Sequence, residues 1–138
     1  MKYAVLWFVL VIAIAGGLGS VNVPTYRQLV AYGVPGHATV IELTPANHNT
    51  LRYEYQVDGR TLQGQMQSWP PNPPLEQIKV GQTVVIYYDS AHPGVSVLGN
   101  PHGMLENEIT SVGLAAIGLP TLLVIAWVYS NFRKQAVA

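Results

Sequence analysis

Leu51-Arg52-Tyr53-Glu54-Tyr55-Gln56-Val57-Asp58-Gly59-Arg60 decides what kind of domain this chain carries. Leu51, Tyr53, Tyr55 and Val57 alternate with Arg52, Glu54 and Gln56. That period of two turns one face of a strand to a core and the other to water. Asp58-Gly59 supplies the two positive-φ positions of a type I′ turn, so residues 60–67 are expected to return as the partner strand. Working outward, residues 37–44 (HATVIELT) are rich in β-branched side chains and read as a strand before the hairpin. Residues 83–88 (TVVIYY) follow Gly81 and read as a strand after it. Ala91-His92-Pro93-Gly94 then turns the chain into a last strand at 95–98. Five short strands predict a small, bent antiparallel sheet or incomplete barrel, which covers one apolar face at this size.

On either side of this domain lies a run without a charged residue, at 3–21 and 110–130. About 20 residues of helix match a hydrocarbon core of roughly 30 Å, and lipid leaves a single span no alternative to helix. A chain of 138 residues has too little left over to bury two such helices in a water-soluble core. All seven acidic residues, from Glu42 to Glu108, fall between the runs, whereas Lys2, Arg133 and Lys134 flank them outside. Basic residues prefer the cytoplasmic side, which places both termini inside and the central domain outside. The expected fold class is two transmembrane helices flanking a roughly five-stranded antiparallel sheet or incomplete barrel. Its divisions are a first span (1–23), a juxtamembrane segment (24–36), an extracytoplasmic β-domain (37–99), a linker (100–109), a second span (110–130) and a short cytoplasmic tail (131–138). Tyr26, Leu29, Val30 and Tyr32 have helical spacing and are followed by Gly33 and Pro35, so 24–32 is expected as a separate short helix in the headgroup region. In a rival reading, the basic start, the apolar stretch and Ala13-Ile14-Ala15 form a secretory signal cleaved after Ala15. The central domain faces outward under both.

The spans hold no Asp, Glu, Lys, Arg or His, so a proton relay or ion pathway within them is not expected. Small residues recur four apart in the first span: Ala13 with Gly17, Ala15 with Gly19, and Gly16 with Ser20. Such faces let helices approach closely, either span against span or span against a partner. Pro120 is expected to bend the second span. Trp7, Trp127 and Tyr129 sit where interfacial anchors sit. Between the third and fourth strands runs Trp69-Pro70-Pro71-Asn72-Pro73-Pro74, whose prolines cannot donate to a ladder. An extended, polyproline-like loop is expected there, either as a docking element or with Trp69 capping the open end of the barrel.

No cysteine is present, which removes disulfides and thiolate metal sites. His37, His48, His92 and His102 lack metal-ligand spacing, and the nearest approach to a pair is His102 with Glu106 and Glu108. No nucleophile elbow, phosphate loop, dinucleotide fingerprint or zinc-binding helix occurs. No catalytic, cofactor-binding or metal-binding residue is nominated, no cofactor is implied, and an enzyme is not expected. The central segment is net acidic and has no basic, aromatic-lined stripe, which argues against nucleic acid.

The strand order carries a pattern: Tyr53-x-Tyr55-x-Val57-x-Gly59, then Val80-Gly81-Gln82-x-Val84-x-x-Tyr87-Tyr88-Asp89, with Pro93 and Ser96 beyond. Set between two spans, it resembles a widespread group of uncharacterised bacterial membrane proteins, classed as a domain of unknown function with a small extracytoplasmic β-domain. The likeness covers about 36–98, and Ser90 stands where members often have proline. It implies topology, fold and a bacterial inner-membrane setting, and no reaction. The function expected is a non-catalytic, membrane-anchored accessory or scaffold subunit of a larger inner-membrane assembly. Its partners would be membrane lipid and a membrane protein, or a second copy through the spans. Contact is expected through Trp69, Pro70, Pro71, Pro73 and Pro74 and through Ala13, Gly16, Gly17 and Ser20. The alternative is a small-ligand or envelope-stress sensor, in which Tyr53, Tyr55, Tyr87 and Tyr88 bind the ligand and a partner carries the signal.

Overall fold

Two long helices flank a five-stranded antiparallel sheet curled into a half-barrel, as the alternation and the apolar runs predict. The computed structural model describes the backbone of residues 2–137 and the side chains of residues 4–130. The charges of Lys2, Arg133 and Lys134, on which the expected orientation rests, and the side chains of the tail at 131–138 lie outside the described residues. The chain divides into two compact units, Met1–Asn22 with Glu108–Ala138, and Val23–Asn107.

The first unit holds α1 (Lys2–Tyr32) as far as Asn22 and α2 (Pro101–Val137) from Glu108 on; the end of α1 and the first turns of α2 belong to the second unit. By length and composition, Ala4–Tyr32 and Pro101–Ser130 can each cross a membrane. The two helices run antiparallel: the Trp7 indole N–H donates to Thr121 Oγ1 at 3.2 Å and the Asn22 amide to Glu108 Oε1 at 3.1 Å. Both bonds join polar side chains on otherwise apolar helices, where they fix which residues face one another. Ala116 and Pro120 are buried on α2. Pro120 gives the Ala116 carbonyl no N–H, and in the next residue the Thr121 hydroxyl donates to Ile117 O at 2.7 Å.

The second unit holds β1 (Gly33–Thr44), β2 (Thr50–Val57), β3 (Arg60–Gln67), a 3₁₀ turn at Leu75–Gln77, β4 (Thr83–Asp89) and β5 (Ser96–Leu98). The sheet order is β3-β2-β1-β4-β5, antiparallel throughout. Asp58 and Gly59 have φ of 51° and 74°, so the β2–β3 turn is the type I′ hairpin expected. The β1–β2 register shifts between Val40 and Glu42. This bulge bends β1 and moves the inward face from Ala38 and Val40 to Leu43, which curls the sheet. β3 and β5 then approach across the seam, where the Leu98 N–H reaches Met66 Sδ at 3.4 Å.

Leu51, Tyr53, Tyr55, Val40, Ala38 and Ile86 fill the core together with Leu75, Ile78 and Leu98. The rings of Tyr53 and Tyr55 lie 6.1 Å apart, and those of Tyr55 and Tyr88 lie 6.0 Å apart. Tyr53 is wholly buried, and burial pushes its phenol up to about 12. Its hydroxyl is nevertheless paired, with Ser96 Oγ at 3.1 Å, and Tyr55 donates to Pro93 O at 2.6 Å.

Two expected boundaries are corrected. The juxtamembrane segment is no separate helix: α1 runs through Pro24 to Tyr32, and β1 begins at Gly33, four residues before the expected strand. A proline removes one backbone bond without obliging a helix to stop, and Leu29, 1 % exposed, is anchored beyond it. The linker at 100–109 is helical as well. Asn100 is its N-cap, its Oδ1 accepting the His102 N–H at 2.9 Å, and Pro101 is the first helical residue.

Candidate interaction surfaces

The proline-rich segment is a compact knob, which corrects the expectation of an extended polyproline loop. A cis bond joins Pro70 to Pro71, and the Asn72 N–H donates to Trp69 O at 2.9 Å, closing a four-residue turn. The Ser68 hydroxyl, itself buried, donates to Pro73 O and ties the base of the knob together. Asn72 points inward, with its amide 3.6 Å from both Met66 Sδ and Met104 Sδ. Its place between β3 and the first turns of α2 explains why a polar residue interrupts the prolines. Pro71 rests against Gly103, where a Cβ would come within 2.9 Å of its ring.

Everything outside those anchors is exposed: Pro70, Pro71, Pro73, Pro74 and Trp69, the last at 56 %. Trp69 therefore does not cap the barrel. Its indole N–H donates to Gln67 Oε1 at 3.1 Å, which orients the ring at the surface. Leu75 and Ile78 close that part of the core instead.

The small-residue face of the first span divides in two. Ala15 and Gly19 are half-covered, and Gly19 faces Val112 of α2, which puts Gly19 in the packing of span on span. Ala13, Gly16, Gly17 and Ser20 are exposed, with nothing within 4 Å of a Cβ built on either glycine. Nearer the start of α1, Leu6, Trp7 and Leu10 line an apolar cleft with Leu123, Val124 and Trp127.

The tyrosines proposed as a ligand-binding set are in the core or against the sheet. Tyr53, Tyr55 and Tyr88 pack on one another, and Tyr87 is half-buried. None of them lines any of the clefts described here.

One polar cluster joins residues that are distant in sequence. Asp89, at the end of β4, is 2 % exposed. Its Oδ1 accepts the Ala91 N–H at 2.8 Å, and its Oδ2 accepts from the Gln28 amide of α1 and lies 3.1 Å from His92 Nδ1. The Ala91 N–H above all, with His92 and Gln28, holds the carboxyl below the ordinary carboxylate range against the opposing effect of burial. His92 is itself exposed. The cluster is a joint that fixes the β4–β5 turn to the end of α1. A carboxyl depressed in the folded state stabilises that state above its unfolded pKa, and the contribution is lost as pH falls through the folded one. The melting temperature of the domain should therefore fall on acidification below about pH 4. Asp89→Asn should melt lower at neutral pH and show a shallower acid limb in the same titration.

Among the described residues, no three His, Asp or Glu side chains converge as a metal site. His102 is exposed on the first turn of α2, and Glu108 is engaged with Asn22. Spacing along the chain gave no notice of Gln28, because its partner lies 61 residues away.

No curated protein and no solved structure matches the chain. A family model for a domain of unknown function, DUF3592, matches residues 32–103, from the last residue of α1 through all five strands to the first turn of α2. That match covers more than half of the chain and the whole sheet, and the chain belongs to the DUF3592 family.

Proposed function

We propose that this protein is a non-catalytic accessory or scaffold subunit of a bacterial inner-membrane assembly. Its two helices span the membrane, both termini are cytoplasmic, and the β-domain stands on the outer side. The observation that carries the reading is the knob at 69–74, which buries Asn72 and Ser68 and leaves Trp69 with four prolines on the outside. A rigid loop loses little entropy on binding, and an exposed tryptophan is a favoured anchor in protein interfaces. The open half of the first span, Ala13, Gly16, Gly17 and Ser20, offers a second contact within the membrane. The interaction role stands ahead of ligand sensing because Tyr53 and Tyr55 are buried in the core and Tyr88 packs against it.

A C-terminally tagged copy purified from its native membrane in mild detergent should retain a stoichiometric partner. An intact mass near 15.0 kDa would keep both helices, whereas loss of the first 15 residues would mean a cleaved signal. Trp69→Ala should reduce retention roughly 30-fold if Trp69 is an interface hot spot. The side chain is exposed, so melting of the domain should be unchanged. A lone protein in the eluate would sink the subunit reading.

A further inference from the structure

Two clefts of about 410 and 310 Å³ open on the β-domain, and both mix polar with apolar walls. A third, of about 340 Å³, lies between the helices within the first unit and is lined only by Leu6, Trp7, Leu10, Leu123, Val124 and Trp127. Ligand pockets run from about 300 to 1,000 Å³, so this one suits a slender occupant. Its walls explain why it exists. Where Gly19 faces Val112, a small residue lets the helices close on each other. Toward the start of α1 and the end of α2, the bulk of Trp7 and Trp127 keeps them from doing so. An interfacial tryptophan ordinarily turns its N–H to the headgroups. Trp7 gives it to Thr121 Oγ1 at 3.2 Å instead, which fixes the ring as a wall of the cleft.

The inference drawn from this cleft rests on the reading that both helices span the membrane. Leu6 and Leu123 are 55 % and 60 % exposed, so the cleft then opens to hydrocarbon. A further helix, about 10–12 Å across, is too thick for it, and helices dock on small residues. Those are exposed elsewhere on α1, at Ala13, Gly16, Gly17 and Ser20. A flexible acyl chain fits an irregular apolar slot. The charges at the same end of the unit identify the headgroup. Lys2 precedes Leu6 by about one turn of α1, and Arg133 and Lys134 follow Trp127 by about two turns of α2. Because the helices are antiparallel, these three basic positions share one membrane face. No acidic residue lies outside Glu42 to Glu108, so nothing there opposes a negative headgroup. We infer that the cleft holds an acyl chain of a phospholipid whose anionic headgroup is drawn by Lys2, Arg133 and Lys134. Each basic residue near a bilayer surface favours an anionic lipid by roughly fivefold.

The chain has three tryptophans, and two of them line the cleft. In a Trp69→Phe chain, fluorescence therefore reports on Trp7 and Trp127 alone. Reconstituted in phosphatidylcholine vesicles, this chain should be quenched by brominated-chain phosphatidylglycerol at a mole fraction roughly tenfold lower than by brominated-chain phosphatidylcholine. Lys2→Gln, Arg133→Gln and Lys134→Gln together should bring the two lipids level. Val124→Phe, which fills the cleft and leaves every charge in place, should do the same. Unchanged quenching by brominated phosphatidylcholine shows that the helices of both variants remain in the bilayer, and Leu10→Phe is a second filling variant if Val124→Phe is not inserted. Equal quenching of the parent chain by both lipids overturns the inference while leaving the spans in lipid. A preference that survives both filling variants also overturns it, since surface charge alone would then attract the lipid. Quenching by neither lipid would remove the membrane-spanning reading, and the inference with it.

Discussion

Gly33→Ala is expected to destabilise the β-domain by about 3 kcal/mol or more, at the upper end of what overpacking costs. A Cβ at this position would lie 2.2 Å from the Leu29 carbonyl oxygen. That oxygen is main chain in the last turn of α1, and Leu29 is itself buried, so neither atom can swing aside. Relief requires moving the end of α1 away from the start of β1, where Gly33 pairs with Asp89. The loss should therefore reach the Gln28–Asp89 bond as well. For a domain of this size each kcal/mol corresponds to roughly 4–8 °C, so a drop well above 10 °C is expected in a detergent melt followed by tryptophan fluorescence. A shift within 2 °C would mean that helix and strand are not joined as tightly as described.

The second large effect is expected at Gly64, for a different reason. Gly64 lies opposite Tyr53 in the β2–β3 register, and a Cβ there would fall 2.4 Å from the Tyr53 ring. The glycine leaves the surface that the aromatic ring covers, which is how a wholly buried tyrosine fits across a neighbouring strand. Gly64→Ala should cost about 1–3 kcal/mol as overpacking, somewhat less than Gly33→Ala because a side chain can partly yield. The mechanism makes a sharper claim than the magnitude. In a Tyr53→Leu background the obstructing ring is gone, so Gly64→Ala should be nearly free there. A double-mutant cycle that returns simple additivity would remove the ring from the explanation.

The fold was legible where local chemistry and global packing agree. Alternation at Leu51 to Val57 and the Asp58-Gly59 turn specify the central hairpin, because side-chain period and turn geometry depend on neighbours in the chain. The two apolar runs were equally plain. Element ends were harder. Pro24 reads as a boundary in the sequence, yet a helix continues past a proline when buried residues such as Leu29 hold its far side. Asn100-Pro101 carries a helix-start signal, a capping side chain followed by a residue suited to the first helical position, but it lies nine residues before the apolar run at 110–130 and outside its pattern. At 69–74 proline composition favours extension, whereas Asn72 and Ser68 bind the segment back upon itself. The Gln28–Asp89 bond and the Tyr53–Gly64 fit depend on residues that only tertiary structure brings together, so spacing could not show them.

β1 occupies the middle of the sheet yet is the first strand to leave the ribosome. Its two neighbours emerge at different times, β2 almost at once and β4 only after the hairpin and the proline knob. During synthesis the nascent chain therefore passes through a three-stranded stage in which one side of β1 has no partner. A message truncated before Thr83 would leave that stage as the product, with the Gly33–Thr39 edge open to whatever strand it meets. Premature termination should thus yield an aggregating fragment, one that the cell's membrane quality control must clear, and not merely a shorter domain.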